Sequence, residues 1–133
     1  AGATRQMNEP LFLSRAEVDD LHAASLREHG GSEGVRDSGL VDSALGAAVN
    51  TYYHGCGDLF DIAAAYTCRL AEAQAFLEGN KRTAVASALT FLEANSVCRT
   101  PDQDELYQAM IDIANHQLDK PGLAAIFHRL AGK

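Results

Sequence analysis

The run Glu78-Gly79-Asn80-Lys81-Arg82-Thr83 concentrates chemistry in six consecutive residues. Glu78 offers a hard oxygen ligand of the kind that suits Mg²⁺ carried on a nucleotide. Gly79 lets backbone approach a ligand closely. Asn80 can cap a helix or donate to an oxygen. Arg82 can grip a phosphate through two parallel hydrogen bonds, and Lys81 adds a compact positive charge. Both cations fall in the first turn of a helix expected from about Asn80 to Ala94. The helix dipole disfavours cations there by roughly 0.3–1 kcal/mol each. A bound anion removes that conflict, because a helix N-terminus presents unpaired amides to it. The run therefore reads as a phosphate-binding turn, with Thr83 at its end. The competing reading is a solvated interhelical turn in which Glu78 pairs with Lys81 or Arg82. G-N-K-R is shorter than the phosphate-loop pattern G-x-x-x-x-G-K-[ST], which the chain lacks.

The segments on either side favour the functional reading. Residues 62–77 and 83–94 are apolar nearly all round and rich in alanine. Helices of that kind belong in the centre of a fold. Elsewhere the apolar spacing is that of ordinary amphipathic helices. Ser14 and Glu17 form a capping box ahead of Val18, Leu21 and Leu26, and Gly30-Gly31 ends that helix. A second helix carries Leu40, Val41, Ala44, Leu45, Ala48 and Val49, and residues 50–57 read as an irregular loop. Asp58 caps the third helix. Asn95 suits a left-handed stop for the fourth. Asp102 with Glu105, and Asp119 with Pro121, open two more. Residues 96–100 give the one thin hint of extended chain. The expected fold is all-α, about six helices around a buried central pair, in one domain spanning residues 7–133. Residues 1–6, ahead of Met7, are set outside it as a cloning remnant.

Bulk properties narrow the partners. The chain has 133 residues, 47% apolar and 22% charged, which is ordinary for one globular domain. Its net charge is −7, from 18 acidic and 11 basic residues, which argues against nucleic acid or an anionic membrane. No run reaches the roughly 20 apolar residues of a membrane span, and no signal-peptide pattern opens the chain. Cys56, Cys68 and Cys98 lack paired spacing and read as reduced thiols of a cytoplasmic protein. The histidines at 22, 29, 54, 116 and 128 have no metal-ligand spacing and read as structural.

The segment from Gln74 to Ala84, QAFLEGNKRTA, resembles the signature loop of Fic/Doc (fido) proteins, H-x-F-x-[DE]-[AG]-N-[KG]-R. Gly30-Gly31 followed by Gly34-Val35-Arg36-Asp37-Ser38-Gly39-Leu40 is similar to the early segment of the death-on-curing (Doc) branch. The stretch from Asp58 to Tyr66 resembles the start of its third helix, and that from Ala88 to Asn95 the end of its central helix. The resemblance covers about residues 11–130. It implies a compact six-helix fold that binds ATP with Mg²⁺ and modifies a protein hydroxyl. Most Fic relatives read G-N-G-R, carry a second arginine three residues on, and transfer AMP. Lys81 and Val85 hold those positions here, as in the Doc branch, which phosphorylates a threonine of elongation factor Tu. By matching position, Glu78 would hold Mg²⁺, while Gly79, Asn80, Lys81, Arg82 and Thr83 would bind the nucleotide and Phe76 would anchor the loop.

One departure stands out. The family histidine, the presumed general base, corresponds to Gln74, and glutamine accepts no proton near neutral pH. Loss of a general base typically costs ~10²–10⁴ in rate, but phosphoryl transfer depends heavily on positioning. Three readings follow: a natural transferase of reduced or altered activity, an inactivating substitution, and a non-catalytic nucleotide- or partner-binding module. The inhibitory S/T-x-x-x-E-[GN] pattern of autoinhibited Fic proteins is absent, since neither Glu33-Gly34 nor Glu78-Gly79 has the required Ser or Thr. The resemblance therefore implies regulation by a separate antitoxin, whose segment folds on binding. Residues 50–57, with Tyr52 and Tyr53, are the expected docking region for the protein target.

Overall fold

The computed structural model describes residues 9–55, 57–95 and 97, together with Gln108, Gly122, Ala124 and Ala125. Four helices run through it: α1 (Arg15–His29), α2 (Ser38–Tyr53), α3 (Leu59–Ala73) and α4 (Asn80–Ala94). The described residues contain no strand, only one antiparallel bridge between Val35 and Phe76. The all-α expectation holds. The two helices expected near residues 102–114 and 119–130 lie almost wholly outside the described residues. Gln108, Gly122, Ala124 and Ala125 are helical, and Ala124 is buried in the core.

Three of the four helix starts carry a side-chain cap. Ser14 and Glu17 form the expected capping box on α1. Asp37 accepts from the Leu40 amide at α2. Asp58 and Asp61 form a second capping box at α3, a reciprocal pair beyond the single cap that Asp58 suggested. Arg15 then ties α1 to α2. Its guanidinium meets Asp19 at 3.0 Å, Asp42 at 3.1 Å and the Ser38 hydroxyl at 2.7 Å.

The central pair is α3 and α4, which pack on each other, while α3 also packs on α2 and α4 on α1. Every residue of α3 from Ile62 to Cys68 is buried. On α4, Thr83, Ala84, Val85, Ser87, Ala88, Leu89, Phe91 and Leu92 are buried. The small side chains let the two backbones approach, and the large ones form an aromatic column. Tyr66 lies 5.2 Å from Phe91 between ring centroids, Phe91 lies 6.3 Å from Phe12, and Phe12 meets Tyr52 at 6.0 Å. The Tyr66 hydroxyl accepts from the Leu13 amide at 3.0 Å, which holds the chain ahead of α1 against the core.

Three local expectations are corrected. The segment from Asn50 to Tyr53 is helical, not loop, because Tyr52 and Tyr53 pack on Phe12 and extend α2 by a turn. Asn95 ends α4 at φ −103, outside the left-handed region. Its side chain does the work instead: the amide donates to the carbonyls of Phe91 and Leu11, and its oxygen accepts from the Leu11 amide. The third helix stops at Ala73, short of the apolar run that continues to Leu77, because Gln74 turns left-handed.

Burial raises the Tyr66 phenol from 10.0 to about 12, opposed by its hydrogen bond from Leu13 and reinforced by Glu17. Between those values the unfolded chain loses a proton that the folded chain keeps, so stability falls as pH rises through that window. Below it the contribution is fully present. Urea unfolding across pH 9–12 should show a steeper loss for wild type than for Tyr66→Phe, which should itself cost ~1–3 kcal/mol at neutral pH by stranding the Leu13 amide. Parallel pH curves for the two proteins would contradict this assignment.

Candidate functional site

The site is built where the two buried helices reverse direction. Two residues make the reversal: Gln74 at φ 48, ψ 43 and Gly79 at φ 82, ψ 16. Both are left-handed, a conformation that glycine adopts freely and other residues adopt at a cost. Asn80, next after Gly79, reaches back and closes a double hydrogen bond on Phe76. Its oxygen accepts from the Phe76 amide at 3.0 Å and its nitrogen donates to the Phe76 carbonyl at 2.9 Å. Phe76 itself is buried. The turn is thereby anchored by an apolar side chain below and a polar bracket along its backbone.

The segment at residues 31–37 lies alongside. The Ala75 carbonyl accepts from the amides of Arg36 and Asp37, at 2.6 and 3.0 Å, and the Leu77 amide donates to the Gly34 carbonyl at 3.1 Å. Helix α1 supports the turn from the core side. The His22 ring stacks on Phe76 with centroids 3.9 Å apart and planes 16° from parallel. His22 Nε2 lies 2.7 Å from the Glu78 carbonyl oxygen. A carbonyl only accepts, so that nitrogen carries the proton.

An open cavity of about 400 Å³ results, within the size range of small-molecule sites. Its walls come from the end of α1 (Ser25, His29, Gly30), from Gln74, and from the start of α4 (Gly79 to Arg82) together with Glu78. The first helical hydrogen bond of α4 runs from the Thr83 amide to the Gly79 carbonyl at 2.9 Å. Gly79 supplies no side-chain cap, so the amides before Thr83 stand outside the helical ladder at the cavity wall. Ser25 adds a buried hydroxyl with no hydrogen-bond partner.

The expected residues are placed as follows. Gln74, Glu78, Gly79, Asn80, Lys81 and Arg82 all line this one cavity. The side chain of Asn80 is committed to the Phe76 backbone, which leaves its amide facing the wall. Thr83 is not part of the cavity wall: it is fully buried, its amide is used within the helix, and its hydroxyl has no partner. The reason is helical geometry, which turns the position after Arg82 into the core. None of the described residues in the 50–57 segment lines the cavity. Tyr52 and Tyr53 pack near Phe91 by way of Phe12, about 16 Å of helix from Asn80. That end of α4 is remote from the cavity.

The residues present fit a nucleotide carrying a divalent ion. Glu78 is exposed, and its Oε1 accepts from the Ser32 amide at 3.1 Å. No group of three acidic, histidine or cysteine side chains among the described residues could hold a metal alone. A single carboxylate matches an ion held mainly by phosphates and water. Arg82 Nη1 lies 3.2 Å from His29 Nε2, on the cavity side of α1.

A family model described as the Fic/DOC family matches residues 12–92, which is more than half of the chain and contains the whole cavity. The chain belongs to the Fic/Doc family. It is 32% identical over 121 residues to a protein named "Protein kinase doc" of Escherichia phage P1, covering 90% of this chain and 95% of that one. It is 38% identical over 118 residues to "Toxin Doc" of Mycolicibacterium smegmatis, covering 86% of this chain and 88% of that one. The turn between α3 and α4 lies within the matched residues, and in this Fic/Doc protein the helix before it ends at Gln74.

The sequence reading missed Ser25, His22 and His29 as parts of this site. His22 did carry a signal, since it stands four residues after the buried Val18 and so on the inner face of α1. Ser25 and His29 follow at three and four further residues, along the same face. The turn's dependence on Asn80 is testable. Asn80→Ala removes both bonds to Phe76 and strands two part-buried backbone groups, at ~1–3 kcal/mol each. Chemical denaturation should show a lower midpoint with an unchanged slope, and an unaltered midpoint would remove Asn80 from this role.

Proposed function

We propose that this chain is a Doc-like toxin that binds ATP with Mg²⁺ in the cavity at the start of α4 and transfers a phosphoryl group to a protein hydroxyl. The observation that carries the reading is the convergence of Glu78, Lys81, Arg82 and the first amides of α4 on one cavity of nucleotide-binding size. In this reading Arg82 and Lys81 grip phosphates, the amides of Asn80 and Lys81 add fixed donors, and Glu78 holds the ion through which the phosphates are neutralised. The likeness to a protein named a kinase favours phosphoryl over AMP transfer. Val85, where AMP-transferring relatives carry a second arginine, favours it too. Elongation factor Tu is the proposed target, and a cognate antitoxin the proposed regulator, the latter supported by the likeness to a protein named a toxin. The cytoplasm is the compartment that ATP and such a target require.

Gln74 favours a second reading, in which the cavity binds the nucleotide without turnover. Labelling separates the two. Purified protein with Mg²⁺, cell extract and γ-labelled ATP should mark one dominant band, while α-labelled ATP should not. Arg82→Ala should abolish the band and weaken ATP binding in calorimetry at least tenfold. Binding of ATP with no label from either nucleotide would establish the second reading, and no binding at all would overturn both.

A further inference from the structure

The cavity holds an imidazole besides the position of Gln74. His29 closes α1 and lines the same wall as Gln74, Lys81 and Arg82. Its Nε2 lies 3.2 Å from Arg82 Nη1. A guanidinium has donors only, so the imidazole nitrogen is the acceptor and its lone pair is directed at the phosphate-gripping side chain. The same nitrogen lies 3.7 Å from Glu28 Oε1, beyond hydrogen-bond distance. Arg82 from α4 and Glu28 from its own helix lie by the His29 ring, and Lys81 and Glu78 line the same cavity. Gln74 offers no such lone pair of basic character.

Resting on the transfer reading above, we infer that His29 is the proton acceptor for the target hydroxyl in this protein, in place of the side chain at position 74. Arg82 shields Nε2 while the cavity is empty of phosphate. When a triphosphate enters, its charge draws Arg82 into a bidentate contact, and Nε2 becomes accessible beside the γ-phosphate. The hydroxyl oxygen of the target then forms a bond to the γ-phosphorus as the bond from that phosphorus to the bridging oxygen of ADP breaks. The electron pair leaves with ADP. The hydroxyl proton passes to Nε2 and is released to solvent after the phosphoester departs. The products are the phosphorylated hydroxyl, ADP and a proton. Arg82 thus acts at two stations, on the base before binding and on the phosphate after it.

His29 is exposed at the end of its helix, so its replacement leaves the core untouched. The test is the initial rate of γ-label transfer with ATP, Mg²⁺ and extract, read across pH for wild type, His29→Gln, and His29→Gln combined with Gln74→His. His29→Gln should lose ~10²–10⁴ in rate with ATP affinity held within about threefold, and the acid limb of the wild-type pH profile should vanish. Gln74→His should restore label to that variant by returning an imidazole to the cavity. A His29→Gln rate within about threefold of wild type overturns the inference and leaves the transfer reading standing. So does an acid limb that persists in the variant. Absence of label from wild type overturns the transfer reading itself and the inference with it.

Discussion

Two helices that are apolar on every side must lie against each other, and the chain has to reverse between them within a few residues. That reversal puts backbone amides and carbonyls at the edge of the core, where each requires a partner. The solution is specific. Gln74 and Gly79 supply left-handed geometry, Asn80 satisfies both polar groups of Phe76, and the 31–37 segment satisfies Ala75 and Leu77. His22 takes the Glu78 carbonyl. Once these are placed, the first amides of α4 have nowhere to turn except the cavity. The polar wall of the cavity is what remains after these groups of the reversal have found partners.

The division of labour along α4 follows from the same arrangement. Its N-terminal end carries the polar site and is shaped by α1 beyond Ser25. Its C-terminal end carries the aromatic column of Phe91, Tyr66 and Phe12 and is sealed by Asn95. Helix α1 serves both ends, through the chain at Leu13 and through His22 and His29. The clamp of Arg15 on Asp42 and Ser38 sets α1 against α2. A change in how α1 lies would reach the cavity wall directly.

Much of this was legible in the residues. Ser14 and Glu17, Asp58, and the all-round apolar runs gave the helix starts and the central pair, because capping and burial patterns are local. The polar run from Glu78 to Arg82 stood out because it contradicts helix electrostatics. What was not legible depended on distant partners. Nothing local says that Asn95 would grip Leu11, 84 residues away, or that Tyr52 and Tyr53 would extend α2 onto Phe12. Thr83 looked like a continuation of the ligand run. Only the rotation of the helix shows that it faces inward. The spacing of His29 put it on the face of His22 and Ser25, but its distance from Arg82 could not be read locally.

The left-handed backbone at Gln74 has a consequence for which chemistries this scaffold can host. At φ 48 a β-branched side chain is strongly disfavoured, whereas asparagine, aspartate and histidine are enriched there. The residue at the mouth of the cavity is therefore drawn from a short alphabet fixed by the turn and not by the reaction. Exchange between imidazole and amide at this position leaves the reversal intact and changes only which side chain stands at the cavity mouth. Valine, isoleucine or threonine would require the reversal itself to be rebuilt.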